Sequence, residues 1–117
     1  MKKAIFILIS FCLVLNASDF VSPINFEGTK SEKEAVIAFI KSNVKKTYSE
    51  IGIGDPSTLR LMEKKELESF KKLTKAKNKK LLKNVITTYC NIGMCNYNTI
   101  QLMYKKQLED SKKELEW

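Results

Sequence analysis

Cys90 and Cys95 lie five positions apart in a chain of 117 residues that has one further cysteine, Cys12, and no histidine. Thiols at this spacing could do three kinds of chemistry. A redox couple ordinarily has two intervening residues, and here there are four. A structural zinc takes four ligands, so two thiols without imidazole make half a site. A structural disulfide is the reading that remains, and it needs an oxidising compartment. On a continuous helix these two Cα atoms would be about 8–9 Å apart, whereas a disulfide spans at most about 7 Å. The bond therefore requires the chain to turn at residues 91–94, and Gly93 is the residue that permits it.

The missing histidine removes Ser-His and Cys-His nucleophile pairs and His-ligated haem. Carboxylates remain, but Glu63, Glu66 and Glu68 are interleaved with lysines in the manner of a solvated helix face, as are Glu109, Asp110, Glu114 and Glu116. No catalytic residue, metal site or cofactor is expected, and the chain reads as a non-enzyme.

Lysines carry the remaining chemical signal. Of 21 basic residues only Arg60 is arginine, and the formal charge is +8. Between Ser69 and Leu108 there are nine lysines and no acid, while residues 18–68 are near balance. Lys71, Lys72, Lys75, Lys77, Lys79, Lys80 and Lys83 form a candidate face for an anionic partner such as lipid headgroups, a polyanion or an acidic protein. The alternative is a solvated face that keeps the protein soluble. Nucleic acid is disfavoured, because no aromatic residue interrupts 71–83 to stack on bases and guanidinium forks for phosphate are almost absent.

The N-terminus supplies the compartment. Lys2 and Lys3 precede an apolar run, Ala4–Leu15, followed by the small residues Ala17 and Ser18. This is the layout of a cleavable secretory signal over residues 1–17. The run is shorter than the roughly 20 residues of a spanning helix; an uncleaved anchor is the competing reading. Phe11 before Cys12 argues against lipidation. After cleavage no segment is apolar enough to span a membrane, and the two lost lysines bring the formal charge from +8 to +6.

Behind the signal, residues 18–30 read as an extended lead in which Phe20, Val21, Ile24 and Phe26 can pack onto the body. Residues 31–117 read as a single helical domain. Ser31 and Glu34 have capping-box spacing, and Val36, Ile40, Val44 and Tyr48 form a stripe with Ile37 beside it. That helix should end near Ser49, before Gly52 and Gly54. The two glycines lack the Lys-Ser/Thr of a phosphate loop. Asp55 is expected to cap, and Pro56 to open, a second helix reaching about Lys75. A break at Asn78 is preferred over one helix from 56 to 90. Asn98 and Gln101 suggest a cap for a last helix striped to Leu115, and Trp117 either docks a partner or folds back.

The fold expected is mostly α, a small three- or four-helix exported domain with one short-loop disulfide. An α+β form with a hairpin across residues 85–104 is the alternative, because that region is rich in β-branched and aromatic types. The lysine-rich, arginine-poor style and the leader point to a bacterial protein of the periplasm or the exterior. The function expected is a protein-binding module or a subunit of an envelope assembly, with an envelope protein as partner. Binding of anionic lipid or polymer through 71–83 is the alternative.

Overall fold

The computed structural model describes residues 19–117, so the secretory leader expected over 1–17, and Cys12 within it, lies outside the described residues. Four helices form: α1 Lys30–Ser49, α2 Pro56–Leu73, α3 Lys79–Asn91 and α4 Tyr97–Asp110. No strand occurs among the described residues, so the hairpin alternative across 85–104 is replaced by the end of α3, a turn and the start of α4. Alternating β-branched residues are not enough there, because Val85 and Ile86 fall on the helical stripe with Leu81 and Leu82. The chain direction reverses at each connection. α1 packs on α2, α2 on α4, and α4 on α3.

Local chemistry sets the helix ends. Thr29, in extended conformation, accepts the Glu32 N–H (3.1 Å), and the Glu32 carboxylate accepts the Thr29 N–H (3.0 Å). The capping box is thus Thr29/Glu32 rather than Ser31/Glu34. Both pairs have the right spacing, and the earlier one captures more helix because nothing at 30 or 31 opposes it. Asp55 accepts the Thr58 N–H (2.9 Å), with Pro56 at the first helical position, as the sequence implies. α2 stops at Leu73, and Asn78 caps α3 by accepting the Leu81 N–H (3.0 Å), so 56–90 is two helices. The last helix begins at Tyr97, and its cap is Asn96, two residues before the expected Asn98. It ends at Asp110, leaving Leu115 and Trp117 fully exposed, so the stripe to Leu115 does not form and Trp117 does not fold back.

The core gathers Val36, Phe39, Ile40 and Val44 of α1, Phe70 and Leu73 of α2, Leu82 and Val85 of α3, and Tyr97, Ile100 and Tyr104 of α4. Full burial of side chains this size contributes about 1.5–3 kcal/mol each. The lead segment is part of this packing. Phe20 meets Phe39 and Tyr97 at centroid distances of 5.5 and 5.2 Å, and Phe26 meets Phe70 edge-on at 4.9 Å. Val21 is tied at both backbone groups to the Tyr97 hydroxyl, which donates to its carbonyl (2.7 Å) and accepts its N–H (3.2 Å).

The Asp55 cap yields a pH signature. The Thr58 N–H holds the Asp55 carboxyl below its ordinary value of 3.8. Its stabilisation is therefore complete above that value and is lost as pH falls through the lower folded one. Asp55→Ala should lower the thermal midpoint at neutral pH, and the gap to the parent should narrow as pH falls below 3.8 and the parent's cap is protonated. Thermal melts across that range check it; Asp55→Asn, which caps without ionising, should show no such narrowing.

Candidate functional site

The turn between α3 and α4 shows how local sequence aims a helix. Gly93 has φ +81°, its N–H donates to the Cys90 carbonyl (3.2 Å), and the Met94 N–H donates to the Tyr89 carbonyl (2.9 Å). These two bonds close the end of α3 with glycine in the left-handed position. Cys90 and Cys95 are joined across the turn, with Cα atoms 4.1 Å apart. The residue after Cys95 is the cap of α4, so the staple fixes where that helix starts.

What α4 is aimed at is Glu66. This acid, expected on a solvated face, is only 8% exposed. Its two carboxylate oxygens accept the N–H groups of Tyr97 (2.8 Å) and Asn98 (3.0 Å). The Asn96 side chain accepts the Thr99 N–H (2.8 Å). The first three N–H groups of α4, which no helix can satisfy internally, are thus all paired, two of them by a side chain of another helix. The negative charge also sits at the positive end of the helix dipole. Burial pushes the Glu66 carboxyl above its usual range, and the two donors pull it back only in part. A signal for this was present: Glu66 is four residues before Phe70 and seven before Leu73, on the inward stripe rather than the outer face.

All seven lysines of the candidate anionic-partner face are exposed. Lys71 and Lys72 lie on the last turn of α2, Lys75 and Lys77 in the connection, and Lys79, Lys80 and Lys83 on the first turns of α3. They surround one corner of the bundle, at the opposite end of α3 from the disulfide. Lys79 Nζ donates to Asn25 Oδ1 (3.2 Å), tying that corner to the lead segment. The ion pairs among the described residues are Arg60–Glu63, Lys106–Asp110 and Lys113–Asp110, so none of the seven has a carboxylate at contact distance.

Only Lys71 of the seven also borders the largest apolar recess, a groove between α1 and α2. One part, about 440 Å³, is floored by Phe26, Val36 and Phe70, walled by Ile37 and Leu67, and rimmed by Lys33 and Lys71. A second part, about 250 Å³, shares Ile37 and Leu67 and is rimmed by Lys41, Lys64 and Arg60. Arg60 is occupied by a bidentate pair with Glu63, both contacts at 2.8 Å. A polar recess of about 210 Å³ lies beside Glu66 at the other side of α2. The groove residues Lys33, Ile37, Lys41, Lys64 and Leu67 were not singled out as a site by the sequence reading. The signal for them is an apolar residue with lysines one turn before and after, which occurs on both helices.

Among the described residues no group of three or more His, Cys, Asp or Glu side chains could hold a metal ion, and no helix is long and apolar enough to cross a membrane. The buried Glu66 and Tyr97 side chains are both committed to backbone partners.

Replacing Glu66 should expose its structural role. Glu66→Ala is expected to cost about 3 kcal/mol, since it strips two charge-assisted bonds and strands two N–H groups. Glu66→Gln should cost about half as much, because its amide offers one acceptor oxygen. Urea unfolding with an unchanged m-value measures both. No protein-family model matches this chain, and comparisons with curated proteins and with solved structures return no match.

Proposed function

We propose that the protein is a small, non-enzymatic, exported binding module that holds a protein partner, as a subunit of a bacterial envelope assembly in the periplasm or outside the cell. The observation that carries this reading is the α1/α2 face, where an apolar floor is bordered by lysines that make no ion pair at contact distance among the described residues. An apolar centre with a charged rim is the anatomy of a docking surface. Export is supported by the leader-like pattern of residues 1–17 and by the disulfide. The non-enzymatic reading is supported by the absence of histidine and by the commitment of Glu66 and Tyr97 to backbone hydrogen bonds.

A second reading, direct binding of anionic lipid or polymer, is favoured by the seven exposed lysines around the α2–α3 corner. Near an anionic membrane each contributes about 1 kcal/mol, screened by salt. Replacing Lys75, Lys77, Lys79 and Lys80 with Gln should abolish retention on anionic vesicles if this reading holds, and unchanged retention would eliminate it.

The partner reading is tested by placing a photo-crosslinking residue at exposed positions, including 37 and 75, in cells of the native host. The expected result is one reproducible crosslinked neighbour. Recovery of monomer alone from every position would contradict it.

A further inference from the structure

We infer that the groove between α1 and α2 receives an acidic amphipathic helix of the partner, an inference that rests on the protein-binding reading above. The two walls repeat one pattern. On α1, Lys33, Ile37 and Lys41 follow one another at four-residue spacing; on α2, Lys64, Leu67 and Lys71 follow at three and four. These are same-face positions of a helix. Each wall thus presents an apolar residue between two cations, and all four lysines are exposed. The apolar centre is open at its surface, since Ile37 is 37% exposed and Leu67 is half-buried. None of the four lysines is in an ion pair among the described residues. Glu63, the one acid lining the groove, is already held by Arg60.

Length and charge placement select the occupant. The groove follows α2 from Arg60 to Thr74, roughly 20 Å at 1.5 Å per residue. That is the length of a partner helix of about 13 residues. The lysine pairs at its two ends are about 10–12 Å apart along the axis. A single-chain amphiphile carries one anionic head and could satisfy only one pair. A helix with apolar residues at i, i+3 or i+4, and i+7, flanked by carboxylates two turns apart, satisfies both pairs and covers Ile37 and Leu67 together. The lysine stems extend the apolar floor while their ammonium groups reach the carboxylates. Salt sensitivity follows, because rim pairs of this kind are screened.

The test uses the purified protein with its Cys90–Cys95 disulfide intact and three synthetic helical peptides of about 16 residues. One is acidic and amphipathic, one has the same stripe with Lys for Glu, and one keeps the acids but replaces the stripe with Gln. Fluorescence anisotropy reads affinity, and amide chemical shifts map the site. The acidic amphipathic peptide alone should bind, perturbing residues 33–41 and 60–74. Joint replacement of Lys33, Lys41, Lys64 and Lys71 with Gln should weaken it about tenfold. Ile37→Ser should also weaken it, whereas Gln at Lys75, Lys77, Lys79 and Lys80 should not. Circular dichroism confirms that each variant is folded. Equal binding of the basic peptide, perturbations elsewhere, or sodium palmitate occupying the groove when the peptide does not would each overturn the inference. In cells, crosslinks that capture the partner from position 75 but never from 37 would refute the groove while leaving the partner reading intact. Capture from no position would remove that reading itself.

Discussion

The carboxylate of Glu66 holds the first turn of α4, and the rotation of two helices depends on it. An acid taken out of water is costly unless its charge is met by donors of good geometry. Here both oxygens are met, at 2.8 and 3.0 Å, by N–H groups that would otherwise be stranded. The two deficits cancel only if α2 turns Glu66 inward and α4 points its N-terminus at it. Once α2 is held in that rotation, Leu67 falls about 100° further round the helix and faces α1, where it meets Ile37 across the groove. The buried link and the surface recess are thus two faces of one helix orientation.

The disulfide and the lead segment serve the same junction. Cys95 is one residue before the cap of α4, so its bond to Cys90 sets the point from which α4 departs. Tyr97, fully buried, receives Phe20, Phe39 and Phe70 around its ring and Val21 at its hydroxyl. Residues 20–26 therefore close the side of the bundle that α1, α2 and α4 leave open. Burial also drives the Tyr97 hydroxyl well above its usual proton affinity, so it remains a neutral donor to Val21 over the accessible pH range.

The elements whose ends are written in local chemistry were legible in advance. Pro56 after Asp55, Gly93 between the cysteines, Asn78 in a lapse of the apolar stripe and the need for a turn at 91–94 each carry their own physical reason, and each holds. What was not legible depended on a tertiary partner. Asn98 looked like a cap by spacing alone, yet α4 starts at Tyr97 because Glu66 satisfies its first two N–H groups from another helix. Glu66 itself was masked by Glu63 and Glu68, which do face outward or toward Arg60. The lysine-rich corner was visible as a charge run, whereas the groove is assembled from two helices and could be seen only once they were antiparallel. The bond from the Tyr97 hydroxyl to Val21, 76 residues away, has no local signal and exists only once the chain has folded.

Amide hydrogen exchange at Tyr97 and Asn98 tests the central link most directly. The N–H groups at the first two positions of a helix ordinarily lack a partner and exchange fast. With Glu66 accepting both, they should exchange only through opening of the fold, at rates close to those of the α4 interior near Ile100 and Tyr104. Exchange of both amides at the rate of an open chain, while the interior of α4 stays protected, would contradict the account.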